Sequence, residues 1–282
     1  MLAACQSNGA LLMLNAITPN TGYTLEADVS FGSETRQRLD IYQPDMPADD
    51  ARLVVFVYGG AWRQGVKGDY AFLAQALAEQ GHWVVVPDYR LYPDAVFPQF
   101  VQDVQQAVIA LPEILANSEL QYPPAVRLAK LASDQSDAKL DIVLMGHSSG
   151  AHSAALLASD ATWFSDSTVN VTSLIAMSGP YDLPLDNAEV RDVFRNALDG
   201  DDALPLASVS SQHPPTLLIH GTKDRRVLPL HTERYASALR NYDVPHEVFW
   251  IDGSGHAAPL TGMSLRLPDN GVLGEVMRFL KR

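Results

Sequence analysis

The chain has a single cysteine, Cys5, among its 282 residues. No intrachain disulfide can form, and no site built on several thiolates can be assembled. Positive charge is also scarce: 20 lysines and arginines stand against 33 aspartates and glutamates, a formal net charge of −13. No basic cluster is longer than Arg225-Arg226. Such a surface repels phosphate backbones, so nucleic acid is not expected as a partner, and the charge is read as serving solubility. No apolar run approaches the length of a membrane span. No Gly/Ser-rich or charged linker divides the aliphatic blocks between Leu53 and Leu280, and there are no internal repeats. A His-Glu-x-x-His pattern or comparable ligand cluster is missing, so neither a metal nor a cofactor is expected.

What is present is apolar and ordered. Hydrophobic residues make up 47% of the chain, enough for one large core. The segments "RLVVFVYGG", "HWVVVPDYR", "LDIVLMGHS", "VTSLIAMSG", "PTLLIHGTKD" and "HEVFWIDGSGH" are short, rich in β-branched residues and close on Gly, Asp or Pro. Continuous rather than alternating apolarity marks strands buried on both faces, as in parallel sheets. Between them, "DYAFLAQALAEQG", "FPQFVQDVQQAVIALPEIL", "GAHSAALLAS", "NAEVRDVFRNALDG" and "LHTERYASALRN" carry helical spacing. "NGVLGEVMRFLKR" predicts a last helix, with basic residues in its final turn where they suit the dipole. Upstream, "YTLEADVSFGSETRQRLDIYQP" alternates like two antiparallel strands joined by a Gly-Ser turn. The order predicts an α/β fold: a mostly parallel twisted sheet with an antiparallel N-terminal start and helices on both faces. Residues 23–282 read as one domain. The stretch 116–139 reads as a polar surface excursion, and Asp182 to His213 as the other place where a cap could sit.

Ligands gather beyond the carboxyl ends of the strands in open parallel sheets. There, "GHSSG" follows the apolar "DIVLM" and precedes a small-residue helix, the strand–turn–helix setting a nucleophile elbow requires. In so sharp a turn, side chains two residues before and after the serine would strike neighbouring backbone. Gly146 and Gly150 meet that condition for Ser148, whereas Ser149 would be flanked by His147 and Ala151. Ser148 is therefore the candidate nucleophile. A serine needs a base, and the base an orienting acid, which in this fold follow in chain order. Asp224 lies past "TLLIHG" and His256 past "VFWIDGSG"; Asp182, after "LIAMSGPY", is the rival acid. The histidines His82, His147, His152, His220, His231 and His246 read as surface or hydrogen-bonded structural residues. Backbone donors for a developing oxyanion are expected from Ser149 and from Gly60 or Ala61 in "VFVYGGAW".

Taken together, "YGGAW", "PDYRLYPDAVFPQFVQDV", "GHSSGAH", "SGPYDL", "HGTKD" and "GSGH" resemble the α/β-hydrolase superfamily from about Tyr23 onward. The branch most similar includes bacterial feruloyl-esterase-like proteins, hormone-sensitive-lipase-like carboxylesterases and kynurenine formamidases. The resemblance implies a serine carboxylesterase for short-chain or aryl esters acting through an acyl-enzyme, with an arylformamidase and a non-catalytic binding protein as alternatives. It implies a small-molecule ester as partner. That branch usually reads His-Gly-Gly-x-Trp in the oxyanion loop, and Tyr58 stands here in the place of the histidine. Arg90 and Asp103 match positions that hold a strand-end loop. At the other end, Leu2-Ala3-Ala4-Cys5 resembles the lipobox of bacterial lipoproteins. It implies a lipid anchor at Cys5, a tether over residues 1–22 and a place in the bacterial cell envelope, the alternative being the cytoplasm.

Overall fold

The computed structural model describes residues 4–118, 139–185, 187–197 and 200–282. One sheet is built from β1 (Tyr23–Ser30), β2 (Arg38–Pro44), β3 (Leu53–Val57), β4 (Trp83–Pro87), β5 (Leu140–His147), β6 (Val169–Met177), β7 (Thr216–Gly221) and β8 (His246–Ile251). Their order across the sheet is β1-β2-β4-β3-β5-β6-β7-β8. The β1–β2 and β2–β4 pairs are antiparallel, and all pairs from β4 to β8 are parallel. Every residue of β3, β4 and β7 is buried. Both faces of the sheet centre are therefore covered, as the continuous apolar segments require. The edge strands β1 and β8 are only partly buried.

The helices are α1 (Ala4–Ile17), α2 (Ala71–Glu79), α3 (Gln99–Asn117), α4 (Ser149–Ser159), α5 (Leu230–Asn241), α6 (Ala258–Thr261) and α7 (Val272–Leu280). All residues of α4 are buried against β5 and β6. Its run of Gly, Ala and Ser lets the helix axis lie close to the sheet. In α7, the buried positions Val272, Val276, Phe279 and Leu280 form one stripe at helical spacing.

Two expectations need correction, and one segment gains a helix. "NAEVRDVFRNALDG" forms no helix over its described residues 187–197, which are a series of turns. Phe97 N–H takes the carbonyl of Val193 at 2.9 Å, which removes an acceptor a helix would need. Val193 and Phe194 are buried all the same; packing, not helix propensity, decided the backbone. Second, within residues 1–22, expected as an N-terminal tether, residues 4–17 form α1. Leu11 and Leu14 join the core, Asn15 Nδ2 donates to Gly68 O at 2.8 Å, and Asn15 Oδ1 accepts from Phe72 N–H. Third, the β1–β2 connection is longer than a Gly-Ser turn, running over residues 31–37. Most of the 116–139 stretch lies outside the described residues, although α3 continues to Asn117. No helix among the described residues is long and apolar enough to cross a membrane.

Burial pushes His82, His152 and His213 down to about 4 from the ordinary value of 6.5. The folded protein keeps these rings neutral where the unfolded chain would protonate them. Their contribution to stability is complete above pH 6.5 and is withdrawn as the pH falls towards 4. The melting temperature should therefore decline steadily between pH 6.5 and pH 4, as read by circular dichroism. A flat profile across that range contradicts the assignment of these rings as buried and neutral.

Candidate active site

The segment "GHSSG" turns the chain from β5 into α4 through one residue. Ser148 has φ 54° and ψ −124°, a backbone conformation that costs on the order of 1–3 kcal/mol for a residue with a side chain. The turn is closed by contact. A Cβ on Gly146 would stand 2.5 Å from Gly150 O, and one on Gly150 would stand 2.0 Å from Val57 O. The glycine spacing read from the sequence is thus a packing requirement. Ser148 lies at the sheet's centre, with its N–H bonded to Met177 O at the end of β6.

Asp224 and His256 reach the same edge from the ends of β7 and β8. The two loops are joined to each other: Thr222 N–H donates to Ile251 O, Lys223 N–H to Ser254 O, and Gly253 N–H to Thr222 Oγ1. Gly221 permits this approach, since a Cβ there would lie 2.4 Å from Ser254 O. His256 Nδ1 is 2.7 Å from Asp224 Oδ2, and His256 Nε2 is 2.9 Å from Ser148 Oγ. A carboxylate only accepts, so Nδ1 carries the hydrogen and Nε2 is free to accept the serine proton. The rival acid is elsewhere: Asp182 pairs with Arg234, and its N–H donates to His231 Nδ1. Burial raises the Asp224 carboxyl, yet hydrogen bonds from His220, His256 and Val227 N–H outweigh it and hold the group far below the usual carboxylate range.

Two histidines read as structural touch this constellation. His147 Nε2–H donates to the carbonyl of His256 at 3.1 Å, fixing the backbone that carries the imidazole. Its own ring is pushed down to about 3, first by burial and then by His256. His220 Nε2 lies 3.1 Å from Asp224 Oδ2. The four-residue spacing from His220 to Asp224 was the available sequence signal.

Gly59 presses the loop after β3 on the elbow: a Cβ there would be 2.9 Å from Ser148 Cβ and 2.8 Å from His147 O. Beyond it, Gly60, Ala61 and Trp62 all have positive φ, and Gly60 O accepts from Arg63 N–H and Gln64 N–H. The amides of Gly60, Ala61 and Ser149 are thereby brought to the Ser148 end of the sheet. Tyr58 is the brace. Its ring stacks between Tyr70 and Tyr89 at centroid distances of 5.3 and 4.7 Å. Its hydroxyl donates to Asp88 Oδ1 at 2.6 Å and accepts from Arg36 at 2.8 Å. Arg36 also donates to Tyr89 O and Gly65 O. Arg36 and Asp88 escaped the sequence reading because they meet across 52 residues. Arg90 grips both oxygens of Asp103, holding the strand-end loop after β4.

A serine on a strained strand-to-helix turn, with its imidazole and carboxylate partners arriving from the last two strands of such a sheet, is the arrangement of the α/β-hydrolase superfamily. Two family models divide the chain: BD-FAE matches residues 39–119, and the prolyl oligopeptidase family matches residues 128–271. The second spans half of the sequence, and the chain belongs to the prolyl oligopeptidase family. It is 29% identical to a probable isoprenylcysteine alpha-carbonyl methylesterase of Oryza sativa subsp. japonica, over 89% of this chain and 61% of that protein. It is 29% identical to a kynurenine formamidase of Danio rerio over 55% of this chain and 46% of that one. The chain thus spans less than two thirds of the length of either relative. In fold it is similar to an esterase B from Lactobacillus rhamnosis, with a TM-score of 0.74 at 20% identity over 98% of this chain and 91% of that one.

Close packing at the elbow predicts a sharp contrast between glycines. Gly150→Ala should destabilise the protein by about 3 kcal/mol or more, because the new methyl meets backbone. Gly68→Ala, where a Cβ meets nothing within 4 Å, should change stability by less than about 0.5 kcal/mol. Urea denaturation of both variants measures the difference.

Proposed function

We propose that the protein is a serine carboxylesterase that hydrolyses short-chain or aryl carboxylic esters through an acyl-enzyme. The observation that carries this reading is the unbroken hydrogen-bond chain from Ser148 Oγ through His256 to Asp224 Oδ2. The family membership and the esterase among its relatives support it.

In the proposed cycle, Ser148 Oγ attacks the ester carbonyl as His256 Nε2 takes its proton. Asp224 keeps the imidazole in the required tautomer and stabilises the imidazolium. The amides of Ser149 and of Gly60 or Ala61 receive the oxyanion, each such donor contributing a factor of roughly 10²–10³. The alcohol leaves with the proton from His256. Water then attacks the acyl carbon as His256 takes its proton; the bond to Ser148 Oγ breaks, His256 returns the proton to Oγ, and the acid leaves.

The region proposed for a cap supports small, soluble substrates. Phe194 packs against Trp62, Phe97 and Phe100, and His152 Nε2–H donates to Ala203 O at 2.8 Å. These contacts pin Phe194 and Ala203 to the body, which does not suit a lid that swings free. Arylformamide hydrolysis is a second reading, supported by the likeness to the Danio rerio kynurenine formamidase; it uses the same steps with an amine as leaving group.

A fluorophosphonate should label Ser148, and Ser148→Ala should abolish hydrolysis of a butyrate ester. Ser149→Ala, which keeps its backbone amide, should retain most of it. Label mapped to Ser149, or no label on the native chain, overturns the reading and favours a protein kept for binding. Butyrate esters should be cleaved faster than palmitate esters and faster than N-formylkynurenine; the opposite order on the last pair selects the formamidase reading. Asp224→Asn should reduce turnover by roughly 10⁴ through the wrong imidazole tautomer, far more than Asp182→Asn. Steady-state kinetics on folded variants compares them.

A further inference from the structure

The carboxylate beside His256 is held by a second imidazole. His220, at the end of β7, is fully buried, and Asp224 is 2% exposed. Asp224 Oδ1 accepts from the amides of Arg226 and Val227 at 2.9 and 3.1 Å, which fastens that oxygen to its own loop. The other oxygen, Oδ2, lies between His256 Nδ1 at 2.7 Å and His220 Nε2 at 3.1 Å. His220 Nε2 also faces Val227 O at 3.0 Å. Both of its neighbours accept only, so Nε2 carries a hydrogen. His220 Nδ1 is 2.7 Å from Thr232 Oγ1 on α5, whose hydroxyl hydrogen completes the ring's bonding.

We propose that His220 is a positioning residue for the reaction: its Nε2–H, shared between Val227 O and Asp224 Oδ2, fixes the carboxylate's orientation and draws off part of its charge, setting how readily His256 accepts the serine proton. The inference rests on the reading of Ser148, His256 and Asp224 as the catalytic groups. A donor on a carboxylate stabilises its charge locally and weakens its attraction for a neighbouring cation. Losing that donor leaves Oδ2 with more charge facing His256, which favours the imidazolium. The base is then lost at a higher pH.

Other groups around these rings are accounted for. His256 meets Ser148, Asp224 and the buried ring of His147, whose centroid is 5.0 Å away. His220 faces Trp250 of β8 at 6.1 Å. His231 on α5 lies next to Thr232, with Arg234 and Asp182 beyond it. Lys223, Arg225 and Arg226 are exposed on the loop.

The test is the pH dependence of Ser148 phosphonylation by a fluorophosphonate, which needs no knowledge of the natural substrate. In His220→Gln the side-chain amide reaches the place of Nε2 and keeps a donor on Asp224. In His220→Asn the amide reaches only the place of Nδ1, beside Thr232, and the donor on Oδ2 is gone. The Asn variant should react about 10-fold more slowly at neutral pH, with the acid limb of its rate profile moved up by about 0.5–1 pH unit. The Gln variant should stay within about threefold of the native rate, with its acid limb unmoved. Melting curves confirm folding. Thr232→Val leaves both acceptors at Nε2, and so its hydrogen, in place and should leave the limb unmoved. A proton NMR resonance from His220 Nε2–H in the native chain carries the test if neither His220 variant folds. Equal profiles for Asn and Gln, or a native His220 that carries its hydrogen on Nδ1 alone, overturn the proposal while leaving the esterase reading intact. A native chain whose Ser148 does not react overturns both.

Discussion

Gly150 lies against the carbonyls of Val57 and Tyr58 at a distance no side chain tolerates, and the whole carboxyl edge of the sheet is arranged around that contact. It brings the start of α4 onto the end of β3, so the residue between β5 and α4 must turn in a left-handed conformation. Ser148 therefore projects from the sheet instead of following α4 into the core. The same approach places the oxyanion loop, which is the continuation of β3, directly against the serine through Gly59. One steric condition thus sets both the position of the nucleophile and the position of the donors opposite it. The strain at Ser148, Ala61 and Trp62 is sustained by the surrounding β3–β5–β6 core, all of it buried at this end of the sheet.

Electrostatics at this edge are governed by dehydration and then corrected by hydrogen bonding. The same burial that disfavours a charged histidine at His147 also disfavours a charged carboxylate at Asp224. The histidine yields to it and stays neutral. The carboxylate does not, because four donors converge on its two oxygens. That difference sets a fixed negative charge at Asp224 close to a neutral His147 ring, with His256 between the carboxylate and Ser148.

Much of this was legible from the chain. Strands buried on both faces lack alternation, so the inner strands β3 to β7 stood out as continuous apolar segments, and the edge strand β8 read the same way although it is only partly buried; their turn-marked ends pointed to one edge of the sheet. The order of Ser148, Asp224 and His256 along the chain, with a glycine two residues either side of the serine, was enough to single out the groups that the structure brings within hydrogen-bond distance. Long-range polar partnerships were not legible. Arg36 sits in a hairpin connection, and only folding reveals that it reaches Tyr58, Asp88, Tyr89 and Gly65. The 187–197 region has helical spacing because it has apolar residues to bury, and packing of Val193 and Phe194 against the body satisfied that need without a helix. In α1, a polar beginning disguised the apolar "LLML" run, of which Leu11 and Leu14 dock on the core while Leu12 and Met13 stay exposed.

Tyr58 has a consequence for the behaviour of the oxyanion loop. Burial and the neighbouring Tyr89 and Asp88 keep its phenol protonated well beyond the alkaline range, and the guanidinium of Arg36 keeps its charge throughout. A histidine in the same place would lie in the one class of side chain that changes charge near neutrality. The loop after β3 is instead braced by a phenol and a guanidinium that keep their protonation state across neutrality. Near neutral pH these two groups give the loop a constant support, whatever the imidazoles beside Ser148 do.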